Sequence, residues 1–112
     1  TILAFYKNNC ENCDEEFEAL KKINEEFDIN LIFVNTMDEK KDFEESIEQY
    51  ELKDQKLIRD PYGKLAGKFL VQAVPKIVFL NKEGLYKGAT EESKTYEQLN
   101  EMVKRVDNYK NE

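Results

Sequence analysis

The apolar residues of this chain keep changing their spacing, and that alternation limits its fold more than any single motif does. Ile2-Leu3-Ala4-Phe5-Tyr6 is a continuous apolar run, the pattern of a short buried strand. Phe17, Leu20, Ile23 and Phe27 then recur at steps of three and four, the stripe of an amphipathic helix starting near Cys10 and ending near Phe27. Leu31-Ile32-Phe33-Val34 returns to the strand pattern, as a central strand covered on both faces would. Phe43, Ile47 and Tyr50 mark a second, very acidic helix, from about Glu39 to Tyr50. Asp60-Pro61-Tyr62-Gly63 reads as a turn, and Leu65, Ala66 and Phe69 suggest a short third helix. Ile77-Val78-Phe79-Leu80 is the second strong strand. Asn81-Lys82-Glu83-Gly84 turns it back into Leu85-Tyr86-Lys87, and Tyr96, Leu99, Val103 and Val106 stripe a C-terminal helix. The expected order is strand, helix, strand, helix, short helix, strand, strand, helix. That is an α/β fold with a central mixed sheet, helices on both faces and the late hairpin as an antiparallel edge.

A chain of 112 residues without repeats or Gly/Ser linkers supports one domain, residues 1–112, around one modest core. Its net charge of −7 argues against nucleic acid, whose phosphates demand a basic face. The acidic runs from Asp38 to Glu45 and at Glu91-Glu92 read as solvated surface. No stretch approaches the roughly 20 apolar residues that span a bilayer. With no His at all, His-based acid–base chemistry and Ser-His or Cys-His nucleophile pairs are excluded. Two cysteines do not complete a four-ligand zinc site, so no metal and no cofactor is expected. Most of the six Tyr and seven Phe fall on the apolar stripes and read as core; Tyr6, shortly before Cys10, is the one placed to flank a site. The chain opens on an apolar run at Thr1 with no signal-peptide pattern, which suggests elements or a targeting segment lying before the first strand.

Both cysteines stand together, as Cys10-Glu11-Asn12-Cys13, between the first strand and the first helix. Two intervening residues in a helical first turn bring the sulfurs within bonding reach. The helix N-terminus directs unpaired N–H groups and partial positive charge at the first sulfur. That favours the thiolate and makes Cys10 the nucleophile. Cys13, one turn deeper, would be the resolving thiol that attacks the mixed disulfide. Unrelated buried thiols, a structural disulfide and half of a metal site are the other readings of a C-x-x-C; its place in a strand–helix–strand unit favours redox chemistry.

These residues resemble the thioredoxin-like superfamily. Ile2-Leu3-Ala4-Phe5-Tyr6 followed by Cys10-Glu11-Asn12-Cys13 looks like its first core strand and active-site turn, and Val74-Pro75-Lys76-Ile77-Val78-Phe79-Leu80 looks like its cis-proline segment. Asn81-Lys82-Glu83-Gly84 is similar to the hairpin that follows. The longer middle, with the helix near Glu39 to Tyr50 and then Asp60-Pro61-Tyr62-Gly63-Lys64-Leu65-Ala66, resembles the TlpA/ResA-like thiol-disulfide oxidoreductases. The resemblance implies a thioredoxin-like fold and a CxxC pair that exchanges disulfides with protein thiols and an upstream redox partner. It also implies a cis Pro75, with the backbone of Val74 beside the cysteines and open to an extended substrate strand. It tilts the compartment toward the bacterial cell envelope or periplasm, with the cytoplasm as the alternative; oligomeric state stays open.

Departures from the family pattern are equally informative. Asn9 stands where a Trp usually precedes the first Cys, and Glu11-Asn12 replace the usual turn residues. Ala4 aligns with the buried acid that takes the proton of the second Cys, so water or another carboxylate, Glu16 or Glu26 among them, must serve instead. Glu11, Asp14, Glu15 and Glu16 interact with the helix dipole but also oppose a thiolate at Cys10, each by roughly 0.3–1 kcal/mol at the surface. A reductase-leaning couple follows. Against the enzyme stand a non-catalytic thioredoxin-fold binding module with quiescent cysteines and a peroxiredoxin; the latter needs Pro and Thr/Ser where Leu3 and Lys7 stand.

Overall fold

The computed structural model describes residues 1–90 and 92–107. Along the chain run β1 (Ile2–Tyr6), α1 (Cys13–Phe27), β2 (Leu31–Thr36), α2 (Lys40–Gln49), β3 (Lys56–Asp60), α3 (Lys64–Lys68), β4 (Lys76–Leu80), β5 (Tyr86–Ala89) and α4 (Tyr96–Asp107). The described strands form one sheet in the order β3-β2-β1-β4-β5. At its centre β1 pairs in parallel with β2, Ala4 opposite Phe33, and antiparallel with β4, Ala4 opposite Ile77.

Side chains alternate across a strand, which explains the unbroken apolar run of β1. Ile2, Ala4 and Tyr6 enter the larger core cluster, with Phe17, Leu20 and Ile23 of α1 and Leu99 and Val103 of α4. Leu3 and Phe5 enter a smaller cluster with Val34, Val78 and Ala66 of α3. Both faces of the central strand are therefore covered, and all five of its residues are buried.

Local signals set the boundaries. Asn12 adopts a left-handed φ of 70°, so the helix starts at Cys13 rather than near Cys10, and Cys10 lies in the turn ahead of it. Asp28, at φ 52°, closes the other end and donates its N–H to Asn24 O at 3.2 Å. Before α4, Thr95 Oγ1 accepts the Gln98 N–H (3.2 Å) while Gln98 Oε1 accepts the Thr95 N–H (2.9 Å), a reciprocal capping box. Buried Asp60 accepts the N–H groups of Leu65 (3.1 Å) and Ala66 (3.0 Å) and the Thr36 hydroxyl (2.9 Å). Burial alone would push its carboxyl up, but these donors outweigh it and hold the group below the usual carboxylate range. Gly63 adopts a left-handed φ of +70°, a conformation that L side chains rarely take, and a Cβ there would sit 2.6 Å from Met37 Sδ, displacing that exposed side chain.

Two features differ from the sequence expectation. Strand β3 is an added element; it has one neighbour, and Lys56, Ile58 and Arg59 are exposed, so it carries no apolar run to announce it. Strand β4 is antiparallel to β1, so the antiparallel part of the sheet comprises two strands rather than the hairpin edge alone.

Candidate active site

The end of β1, the turn after it and the segment leading into β4 converge. Cys10 and Cys13 are joined by a disulfide with their Cα atoms 5.5 Å apart. Cys13, the first residue of α1, has no exposed surface, whereas Cys10 is only partly covered. The turn closes through the Cys13 N–H to Cys10 O at 3.4 Å. Across the sheet, Phe5 lies opposite Lys76 in the antiparallel pairing, which brings the preceding Val74–Pro75 peptide to the same end of the molecule as the cysteines. That peptide is cis. A groove of about 800 Å³ runs between the two segments, lined by Glu11 and Asn12 on one side and Leu70, Val74 and Pro75 on the other, with Glu92 at its margin. Among the described residues, the N–H and C=O of Val74 have no hydrogen-bond partner.

Glu11, Asn12, Val74 and Pro75 line one groove. Asn9 is exposed with φ 58° and does not line it. Tyr6 is core: its Oη and Ser46 Oγ share a hydrogen bond of 2.7 Å, and its ring packs edge-on against Phe17 at 5.3 Å.

The structure distinguishes between the two carboxylates that sequence left open. Glu26 is exposed and already accepts from the Tyr96 hydroxyl. Glu16, three residues after Cys13 and hence on the same helix face, is 2% exposed. Its Oε2 accepts the Lys94 N–H at 2.7 Å, while Oε1 is buried without a partner. Burial pushes the Glu16 carboxyl up; the hydrogen bond from Lys94 and the charge of that residue pull the other way without cancelling it. A carboxyl so raised, with one oxygen unoccupied, is fit to take up a proton.

Sequence reasoning missed Tyr50, which it assigned only to the helix stripe. Tyr50 Oη accepts the Cys10 N–H at 2.7 Å and lies 3.3 Å from Cys10 O, to which it donates. Nothing in the spacing of residues 10 and 50 could have paired them. A further set of contacts steadies the loop before Cys10: Asp38 Oδ2 accepts the Asn8 N–H (2.7 Å) and the Asn35 side-chain amide (2.9 Å). No group of three or more metal-ligating side chains occurs among the described residues.

Comparison with known proteins agrees with this geometry. The family model described as thioredoxin-like matches residues 1–86. No curated protein matches the chain. Among solved structures, MTB dsbF superposes with a TM-score of 0.83 at 18% identity, covering 94% of this chain and 78% of that one. A secreted Mycobacterium tuberculosis disulfide oxidoreductase, homologous to E. coli DsbE, gives 0.75 at 17% identity over 91% and 78% of the two chains. StoA from Bacillus subtilis gives 0.74 at 22% identity over 91% and 80%. At these identities the likeness is one of fold.

Proposed function

The chain belongs to the thioredoxin-like family, and on that footing we propose that it is a thiol-disulfide oxidoreductase whose Cys10–Cys13 pair exchanges electrons with protein disulfides. The observation that carries this reading is the asymmetry of the pair: a bonded disulfide in which Cys10 is partly exposed, beside a groove lined by the next residues Glu11 and Asn12, while Cys13 has no exposed surface.

In the reductive direction the Cys10 thiolate attacks one sulfur of a substrate disulfide. The substrate S–S bond breaks, a mixed disulfide forms and the first substrate thiolate leaves. Cys13 then loses its proton, attacks Cys10 Sγ and expels the second substrate thiolate. Two electrons have passed to the substrate, and the Cys10–Cys13 bond is restored. Glu16 is the acceptor for the Cys13 proton, since its raised carboxyl and unoccupied Oε1 stand one helical turn away. Val74 offers a backbone donor and acceptor along the groove, where an extended substrate would add as a strand. Glu11 and Asn12 face it from the other side.

The acidic first turn of α1, with Asp14, Glu15 and Glu16, opposes a thiolate at Cys10 and supports a reductase rather than an oxidant. An upstream dithiol partner would then return the pair to its reduced form. We propose a bacterial cell-envelope location, a reading supported by the likeness in fold to the secreted mycobacterial disulfide oxidoreductase. No helix among the described residues is long and apolar enough to cross a membrane.

Equilibration with glutathione, followed by alkylation and mass measurement, tests the assignment. A reversible Cys10–Cys13 disulfide with a potential well below the roughly −120 mV of a strong oxidant, together with reduction of insulin disulfides, is the expected result. A pair that stays locked in native protein, or one that oxidises thiols as readily as that strong oxidant, overturns it.

A further inference from the structure

Tyr50 holds the one backbone segment that the exchange reaction needs still. Its hydroxyl meets Cys10 twice, accepting the amide N–H at 2.7 Å and donating to the carbonyl at 3.3 Å. Few groups can do both: a carboxylate only accepts, an ammonium only donates, and a phenyl ring does neither. We propose that Tyr50 is the positioning residue of the attacking cysteine, fixing the Cys10 backbone so that its sulfur is presented in line with an incoming disulfide.

The hydroxyl can serve this way because every other part of Tyr50 is fixed. Its ring is buried and packs edge-on against Tyr6, with centroids 5.7 Å apart, and against Phe17 at 5.3 Å. Its main chain follows α2 directly, its N–H bonding Ser46 O at 3.0 Å. Lys21 Nζ, from α1, donates to Tyr50 O at 2.8 Å and to Glu51 O at 3.0 Å. A rigid core thus determines where the oxygen lies, and the oxygen determines where Cys10 lies. Burial pushes the phenol further above its ordinary value, so it keeps the proton that it donates.

Clasping also occupies the Cys10 N–H, which would otherwise be able to turn toward the sulfur. The turn carries residues in the left-handed region on both sides of Cys10, Asn9 at φ 58° and Asn12 at φ 70°, with Cys10 O also accepting the Cys13 N–H at 3.4 Å. With amide and carbonyl both held, side-chain rotation is the main freedom left to the nucleophile, and alignment of this kind governs rate steeply. During substrate reduction the substrate S–S bond breaks as a Cys10–substrate bond forms, and that bond is then replaced by the Cys10–Cys13 bond; neither step requires the clasp to open.

This inference rests on the exchange reading above, and Tyr50→Phe tests it separately. The phenyl ring preserves the packing on Tyr6 and Phe17 and removes only the oxygen. In the reduced variant, the limiting high-pH rate of mixed-disulfide formation with insulin should fall about tenfold. Alkylation by iodoacetamide, a small reagent that needs little alignment, should change less. A folded variant whose insulin rate equals wild type overturns the proposal, as does one in which both rates fall equally. If the variant does not fold, amide hydrogen exchange in wild type decides: the Cys10 N–H should be protected in oxidised and reduced protein alike, and exchange at the open-chain rate overturns the clasp. A wild-type chain that forms no mixed disulfide overturns the exchange reading, while the amide measurement still judges the clasp.

Discussion

Cys10 and Cys13 are three residues apart and share a bond, yet their surroundings have little in common. Cys10 sits in an irregular turn, partly covered, with its peptide groups held by a tyrosine and a groove alongside. Cys13 opens a helix, has no exposed surface and shares that helix's face with a buried carboxyl. The same side chain thus meets two different environments. Cys10 is partly exposed and its backbone held by the Tyr50 hydroxyl; Cys13 is buried, with Glu16 one turn along the same helix. On the proposed reading, the contrast teaches that the order of attack follows from solvent access and from what lies one helical turn away.

Removing the buried sulfur breaks this division most severely. Cys13→Ser should leave Cys10 able to attack but unable to let go, lowering multiple-turnover insulin reduction by about two orders of magnitude or more. Mass spectrometry should find the chain accumulated as a mixed disulfide through Cys10; turnover at the wild-type rate would erase the distinction. Glu16→Gln attacks the same side more gently. Release from the mixed disulfide should slow by about 10²-fold near neutral pH, the usual worth of a positioned base, while the first attack is preserved. Stopped-flow separation of the two steps measures this.

The same variant has a signature in stability. Because burial raises the Glu16 carboxyl in the folded chain, its favourable contribution is present below the unfolded value and is lost as pH rises through the folded one. Glu16→Gln should therefore become progressively more stable than wild type as pH increases toward neutrality, and the two should converge in acid. Denaturant unfolding at a series of pH values shows which way the curves part.

Smaller effects sharpen the contrast from the Cys10 side. Ser46→Ala strips the Tyr6 hydroxyl of its 2.7 Å partner and should cost about 1–3 kcal/mol of unfolding free energy, with the glutathione equilibrium unchanged. A matching shift in that equilibrium would show that the two aromatic contacts act as one unit. Smallest of all, Glu11→Gln relieves one like charge beside Cys10. The pH midpoint of Cys10 alkylation should move down by about half a unit, the scale of an exposed 0.3–1 kcal/mol interaction.

How legible was this in the chain itself? The sheet's interior was, because β1 and β4 carry contiguous apolar runs and α1 and α4 carry clear stripes. The edge strand Lys56–Asp60 was not, since a strand with a single neighbour and exposed Lys56, Ile58 and Arg59 has no burial pattern to betray it. The C-x-x-C pair was plain, and its thioredoxin-like setting followed from Val74-Pro75 and the apolar run behind it. The helix start was misjudged by three residues because Asn12 takes a left-handed φ, a choice no side-chain stripe records. Glu16 was visible only as one acid among several; its selection needed the Lys94 amide, 78 positions away in sequence, to reveal which carboxylate is enclosed. Tyr50 was invisible as a site residue for the same reason. Hydroxyl and cysteine meet across 40 positions, and a ring on a helical stripe reads as packing.

The sheet's outer rims carry a consequence of their own. An edge strand left bare is a template on which another extended chain can pair. Here edge strand β3 carries the exposed Lys56 and Arg59, and at the other edge the β4–β5 pairing is irregular at Phe79/Leu80 of β4, with Lys87 and Gly88, at φ 144°, on β5. Charge at one rim and distortion at the other discourage stray pairing. The two rims are thereby kept from templating edge-to-edge pairing between copies of the chain.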